Sequence, residues 1–486
     1  MNRKILHHIK TIMRRSVWIA WIGFLAAMVA CEQDKINYDS SLMLEFSTDT
    51  VAFDTIFTKD GSTTKMFKVY NRSGNKLLIS EIALSDGSHY RVNLDGVSAS
   101  RFSNVVINAR DSMTVFVQVD MDSRDNDALP FIVKDSLQFL TNGNRQKVIL
   151  QAYGREAKRL DKFTIERDTV LNPELPFLIS DTLKVAKGAT LTINAGCQLY
   201  FRKTAVLYVE GSLVVNGTRE AYVEFRGDRS DYMNTVPPLN YDMASAQWDG
   251  IRFAEGSFGN EFRFADVRNT TNGIIIDSTR TDASCFTAEY CYLRNSSGNL
   301  FTAVNAKAGL YNCLIYNAGG YVFDLSGGEY EMCQNTVANY YSYSWGGRTV
   351  PVSVMRDFYR DSKLPFKAEV SNCIFYGNYS NELTFEQYGE NEELDYSFRN
   401  CLVKMLASAI NAKFKDCVLD DPMFVFQSWE DDFREANPHL YDFHLQAGSP
   451  AIGNGNVQTG QRFPEDLDGN PRLSGGNCCI GAYEYE

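Results

Sequence analysis

Tyr290-Cys291-Tyr292-Leu293-Arg294-Asn295, Asn312-Cys313-Leu314-Ile315-Tyr316-Asn317 and Asn372-Cys373-Ile374-Phe375-Tyr376-Gly377-Asn378 are three versions of one phrase: a cysteine, a short apolar run, an asparagine. Cys291, Cys313 and Cys333 are 22 and 20 residues apart, and Cys373 follows 40 later. Asn295, Asn317 and Asn339 are spaced by 22, and Asn378 follows 39 later. Arg399-Asn400-Cys401-Leu402-Val403 and Lys415-Asp416-Cys417-Val418-Leu419 continue the theme. A period near 22 with no helical pattern inside it implies a solenoid of short strands. About ten coils, each rising by one strand spacing, make a stack about 45–50 Å long. In such a stack cysteine is a small apolar residue repeated in a buried ladder. Asparagine tolerates left-handed backbone at the turn and bonds to the next coil. A metal or redox role for these cysteines is the weaker reading, because stacking already explains their spacing. The Cys333 coil fits less well: its cysteine stands six residues before the asparagine, where Cys313 stands four before.

Working outward, the same texture begins near residue 166. Leu183 to Ile193, Gln198 to Phe201, Ala205 to Gly211, Leu213 to Thr218 and Tyr222 to Phe225 are very short strands punctuated by glycine. Residues 41–156 differ. Runs such as Lys65–Tyr70, Met113–Val119 and Lys147–Ala152 alternate apolar with polar residues between turn signals such as Asn71–Gly74, Ser85–Gly87 and Thr141–Asn144. About seven such strands predict a β-sandwich that serves as spacer or docking module.

The beginning of the chain carries a targeting pattern. Arg3, Lys4, Lys10, Arg14 and Arg15 precede an apolar run from Val17 that ends in Met28-Val29-Ala30-Cys31. A cysteine directly after the small residue resembles a bacterial lipoprotein signal, with methionine where leucine is more usual. The resemblance implies cleavage before Cys31 and lipidation of Cys31. The alternative is an uncleaved anchor, for which fourteen apolar residues are short. Glu32 to Asn37 is a polar tether resembling export signals of surface lipoproteins in the Bacteroidota. It implies an outer-membrane, cell-surface location.

Residues 166 to 440 are similar to right-handed parallel β-helix proteins of the pectin-lyase-like group. Gln247-Trp248-Asp249-Gly250-Ile251 matches their turn into a strand. Asp421-Pro422, Asp442-Phe443-His444-Leu445, Gly448 to Gly453, Asp466 to Arg472 and Ile480 to Tyr485 resemble the choice-of-anchor-type C-terminal module of bacterial surface β-helices. Gly453 and Cys479 stand where that family usually has aspartate. The expected architecture is therefore all-β. A signal peptide (1–30) and tether (31–40) lead to an immunoglobulin-like β-sandwich (41–156). A right-handed parallel β-helix (157–440) and a C-terminal closing module (441–486) follow.

Composition narrows function. The formal net charge is −12 although the leader contributes only basic residues, so a nucleic-acid partner is excluded as an expectation. Beyond the leader, His89, His439 and His444 lack zinc-site spacing. Asp466-Leu467-Asp468-Gly469 resembles part of a calcium loop but lacks its remaining ligands, so a tight turn is the better reading. No cofactor is expected, with calcium the one cation left open. Eleven cysteines in an oxidising compartment suggest disulfides, and the pairing of Cys197, Cys285, Cys478 and Cys479 stays open.

No catalytic cluster stands out. Arg268, Asp277, Arg280, Asp282, Arg294 and Glu331 do not spell the alternating acidic strand face that lyases of this resemblance use for calcium. Two insertions interrupt the coils, at Arg226–Gln247 and from Tyr340 to Lys367. Insertions of a solenoid gather on one side and often bind. Tyr341, Tyr343, Trp345, Arg348, Arg356, Tyr359 and Lys363 of the second insertion are the candidate ligand-binding residues, offering flat rings to sugars and cations to carboxylates. The competing reading is that these aromatics pack the loop onto the body. The expected function is a non-catalytic glycan-binding or scaffold lipoprotein, with a polysaccharide or an envelope protein as partner. A polysaccharide lyase or hydrolase acting on acidic polysaccharide is one alternative, and a structural subunit of an outer-membrane complex is another.

Overall fold

The computed structural model describes residues 35–58, 62, 64–121, 131–233, 239–277, 282–341, 347–389, 394–426 and 441–485. Cys31, Tyr343, Trp345 and His439 lie outside the described residues. The chain divides into two compact units, one ending at Arg155 and the next starting at Glu156.

The first unit is a sandwich of two five-stranded sheets. One runs in the order Glu45–Phe46, Lys65–Tyr70, Ser112–Val119, Tyr90–Leu94, Val97–Ala99, antiparallel throughout. The other runs Thr50–Phe57, Asn144–Arg155, Phe131–Thr141, Leu77–Leu84, Arg101–Ile107, with its first pair parallel. Period-two alternation sends Val115, Val117 and Val119 of one sheet and Leu137, Phe139 and Val148 of the other into a shared core. Phe139 meets Phe46 and Phe67 across that core at centroid distances of 5.0 and 6.4 Å. Asn142 and Gly143 take φ of 52° and 82°. This is the left-handed pair that a tight hairpin between right-twisted strands requires.

The second unit is a parallel β-solenoid. Ten strands from Lys158–Arg159 to Leu402–Val403 stack in parallel to form its first face. A 17-stranded sheet forms a second and a third face, hydrogen-bonded coil to coil in parallel register. In two coils these two faces fuse into single bent strands, Phe301–Tyr311 and Phe323–Cys333. Inward rings touch one another from coil to coil across the faces, as in Phe286, Phe301, Phe323, Phe375 and Phe398. Trp248 lies flat on Phe201 at 4.1 Å, and its indole N–H donates to the Arg268 carbonyl at 2.7 Å.

The repeat phrase has a direct structural meaning. Phe264, Tyr290, Asn312, Gln334, Asn372, Asn400 and Asp416, each at the turn entering the first face, all have φ between 49° and 57°. The residue after each turn is Cys291, Cys313, Cys373, Cys401 or Cys417 in five of these coils, and Asn335 in the Gln334 coil. That coil explains the irregular Cys333. Asn335 occupies the ladder position, taking the Cys313 N–H at 2.8 Å and donating to the Leu310 carbonyl at 2.7 Å. Cys333 stands two residues earlier, paired in register with Tyr311 and Ser371. At the far end of the first face, Asn269, Asn295 and Asn317 are left-handed and buried, with Asn339 next in register. Asn378 is offset from this ladder: Gly377 pairs with Asn339.

The C-terminal segment lies along the flank of the solenoid. Phe443, Leu445, Leu467, Ile480 and Tyr483 pack on Phe264, Tyr290, Leu314, Ile374 and Leu402 of successive coils. Polar links fix it lengthwise: Arg219 to Glu465 at 3.0 Å, the Ala482 N–H to Thr336 Oγ1 at 2.9 Å, and the Gly481 N–H to the Asn372 carbonyl at 2.8 Å. A module expected to close the rod thus runs across the coils from Arg219 to Asn400, whose amide donates to the Asn454 carbonyl.

Candidate ligand-binding sites

The second insertion separates into a buried staple and an exposed platform. Tyr341 is 1 % exposed, and its hydroxyl shares a 2.7 Å hydrogen bond with Ser245 of the first insertion. Arg348 is buried. Its Nη1 donates to Glu382 Oε2 at 2.8 Å and to the Val350 carbonyl at 3.1 Å, while its guanidinium stacks 4.3 Å from the Tyr379 ring. Glu382 is 0 % exposed and also accepts the Val352 and Tyr379 N–H groups at 3.0 and 2.8 Å. This pair holds the insertion to the coils, so Tyr341 and Arg348 act in packing.

Arg356 ends the second-face strand Ser353–Arg356 and spans two coils. It reaches Asp324 at 3.1 Å and Glu386 at 3.2 Å, and Nη1 donates to Ser326 Oγ at 3.4 Å. Asn299 donates to the other oxygen of Asp324 at 3.0 Å. Burial raises the Asp324 carboxyl above its ordinary value, against the pull of Arg356 and the Asn299 bond. Immediately after Arg356, Phe358–Tyr359 and Ser362–Lys363 form a small antiparallel hairpin, with Arg360 left-handed at its tip. Tyr359 is 38 % and Tyr388 52 % exposed. Tyr388 is fixed by its hydroxyl donating to the Asp361 carbonyl at 3.1 Å and its N–H to Asp357 Oδ1 at 2.7 Å. Lys363 stands exposed on the same hairpin. The structure thus gathers Arg356, Tyr359 and Lys363 with Asp324, Glu386 and Tyr388, which the sequence did not single out.

A second site was not legible beforehand. The short helix Val457–Arg462, capped by Asn456 accepting the Thr459 N–H, lies beside the third face. Between them is a polar cleft of about 350 Å³ lined by Glu331, Glu369, Ser371, Arg399, Thr459 and Arg462, among others. Glu331 accepts from Arg462 Nη1 at 2.6 Å and from the Tyr311 hydroxyl at 2.7 Å. Burial opposes its charge, yet those two bonds hold the carboxyl below its ordinary value. Glu369 pairs with Lys367 at 2.8 Å. Burial pushes the Cys333 thiol at the cleft floor up to about 11, and Ser371 Oγ donates to its sulfur at 3.2 Å. Fixed carboxylate acceptors, hydroxyls and guanidinium donors suit a polyhydroxylated ligand. Glu331 is held as a charged acceptor and Cys333 as a protonated thiol, so neither of these two is set for proton donation or nucleophilic attack. Glu331 and Arg462 are far apart in the chain, and the misfit of Cys333 was the one faint signal.

Other charged groups are consumed internally. Arg268 bonds Asp266, Asp242 and Glu224 at 2.5, 2.8 and 3.1 Å, and Arg294 bonds Asp266 at 2.9 Å. Asp242 arrives from the first insertion. Burial opposes its ionisation, but Arg268, Arg294 and Arg226 hold it down at about 2. Asp466 is buried, and its Oδ1 accepts the N–H groups of Asp468, Gly469 and Asn470, so it closes a tight turn. No group of three or more metal-type side chains converges among the described residues. Among the described residues no disulfide forms, so Cys197, Cys285, Cys478 and Cys479 are not paired with one another.

No family model matches the chain, and no curated protein does. Among solved structures it is similar to a family 123 glycoside hydrolase from Clostridium perfringens that hydrolyses glycolipid glycan. The identity is 7 %, the TM-score 0.17, and the match covers 24 % of this chain and 30 % of the hydrolase. It is also similar to the ASH/PapD-like domain 7 of human CEP192, with 8 % identity, TM-score 0.19, and 26 % and 94 % coverage. A protein of unknown function from Porphyromonas gingivalis W83 matches with 14 % identity, TM-score 0.18, and 27 % and 60 % coverage. Likenesses at this level carry no statement about activity, and the chain spans under a third of the hydrolase.

Proposed function

We propose that this chain is an outer-membrane lipoprotein, anchored through Cys31, whose solenoid is a non-catalytic glycan-binding or scaffold element. The observation that carries the reading is the polar cleft. It offers the hydrogen-bonding groups a sugar needs, while Glu331 is tied to Arg462 and Tyr311 as a permanent acceptor. The exposed Tyr359 and Tyr388 add a second surface on which sugar rings stack. Affinity electrophoresis through gels containing neutral and acidic polysaccharides tests it. Retardation that weakens in Glu369→Gln and Thr459→Ala supports binding in the cleft. Unchanged mobility in every polysaccharide leaves scaffolding alone. Labelling with a palmitate analogue that is lost in Cys31→Ala tests the anchor.

A polysaccharide lyase or hydrolase is the second reading, and Asp324 is the observation that favours it. A carboxyl with raised proton affinity, beside Glu386 and under Arg356, is the arrangement from which an acid–base pair is built.

A further inference from the structure

The last coil of the solenoid differs from the others in how little holds it. Its first-face strand Leu402–Val403 and third-face strand Phe414–Lys415 are two residues each. After Phe414–Lys415, one isolated parallel bridge, Leu402 with Val418, continues the first face. The Val418 N–H donates to the Cys401 carbonyl at 2.8 Å, and the Val403 N–H to the Val418 carbonyl at 2.9 Å. Cys401 and Cys417 are therefore direct neighbours on successive coils. Their Cα atoms are separated by about one strand spacing, roughly 4.8 Å, which lies inside the span a disulfide bridges. The Cys401 sulfur lies against the Val370 and Arg399 carbonyls at 3.6 and 3.3 Å, and the Cys417 sulfur against the Phe398 and Lys415 carbonyls at 3.5 Å each. Cys401 is buried, whereas Cys417 is partly exposed.

The same spacing occurs between Cys291 and Cys313 and between Cys373 and Cys401, and all four of those are buried. Access separates Cys417 from the others: it alone of these stacked thiols is partly exposed.

We propose that Cys401 and Cys417 form a dithiol–disulfide couple at the last described coil of the solenoid, oxidised by thiol–disulfide exchange with an external disulfide. The Cys417 thiolate attacks one sulfur of that disulfide, displacing one thiolate and leaving a mixed disulfide. Cys401 then loses its proton to solvent and attacks the Cys417 sulfur, expelling the second thiolate. The new bond carries two electrons fewer than the dithiol. The external disulfide has taken up those two electrons, and its two thiolates take up the two protons. The neighbouring Cys401 thiol lowers the Cys417 thiol below its ordinary value, which favours the first attack. Parallel stacking holds the Cβ atoms at about the coil spacing, slightly wider than the usual disulfide value of roughly 3.5–4.5 Å. Fraying of the short last strands supplies that movement and opens Cys401 to its partner.

The test uses the purified full-length chain, incubated with oxidised dithiothreitol, quenched in acid, denatured, alkylated and mapped by mass spectrometry. The expected result is loss of two alkylatable thiols, recovered as one Cys401–Cys417 cross-linked peptide, with Cys291 and Cys313 fully alkylated. Cys417→Ala, a partly exposed position in the final coil, abolishes the cross-link. Treating the protein with oxidised glutathione instead yields no stable glutathione adduct, because Cys401 resolves it. Complete alkylation of Cys417 after oxidation, a persistent adduct on Cys417, or equal oxidation of Cys291 and Cys313 each overturns the proposal.

Discussion

Replacing Glu382 by glutamine asks whether Arg348 is a staple or a ligand-binding residue. Glu382 is fully buried and is a central anchor for the insertion. It takes two bonds from Arg348 and the N–H groups of Val352 and Tyr379. Glutamine keeps the shape but removes the negative charge, leaving a buried guanidinium without its counter-ion. Breaking a buried pair from one side costs about 3–5 kcal/mol. Asn378 and the Val350 carbonyl still accept from Arg348, which puts the expectation at the lower end, about 3 kcal/mol. Beyond the leader, every tryptophan of the chain lies in the second unit. Urea unfolding followed by tryptophan fluorescence therefore reads the solenoid. The variant unfolds at lower urea, its Val352 and Tyr379 amides exchange faster, and its retardation in polysaccharide gels is unchanged. A loss below about 1 kcal/mol with weakened glycan retardation refutes the assignment and returns Arg348 to the ligand site.

Three further outcomes follow from the same structure. His444 sits between Asp468 and Asp442, at 2.7 and 2.5 Å, and the Asp468 bond first and the Asp442 bond second raise it to about 9 from 6.5. Its contribution is fully present below pH 6.5 and is lost as pH rises through 9. For a half-exposed group it amounts to about 1 kcal/mol after screening. The melting temperature falls across that window, and His444→Gln removes the fall. Tyr359→Ala together with Tyr388→Ala weakens glycan retardation while leaving stability within about 1 kcal/mol, since both rings are exposed. Asn317→Ala costs about 1–2 kcal/mol more than Asn317→Gly by urea titration, because φ there is 63° and only the alanine is strained.

The coil ladder was readable because a parallel solenoid repeats one local solution in every coil. Cys291, Cys313, Cys373, Cys401 and Cys417 each follow a left-handed residue entering the first face, and Asn295 and Asn317 close it. Asn269 occupies the same rank but was missed, because no cysteine in its own coil flagged the phrase. Cys333 misled by identity: it is an outward residue of the third face, and Asn335 does the work of the ladder. The change from alternating strands to glycine-punctuated ones falls near residue 156, and the compact units part between Arg155 and Glu156. The course of residues 441–485 along the flank was not, since it depends on contacts such as Glu331 with Arg462 that no local pattern encodes. The same distance in sequence hid the cleft. Arg356, Tyr359 and Lys363 were singled out because an insertion rich in aromatic and basic residues stands out from the repeat. Their partners Asp324 and Glu386 sit in ordinary strands one coil away on either side.

The central claim is binding without turnover. The direct measurement is one titration of the full-length protein with uronate-containing and neutral polysaccharides in the presence of calcium. Complex formation, reducing ends and the ultraviolet absorbance of unsaturated product are followed together. The account predicts complex formation with flat product signals. Product that accumulates with the protein and disappears in Asp324→Asn or Arg356→Ala would contradict it and make the Arg356 site an active site.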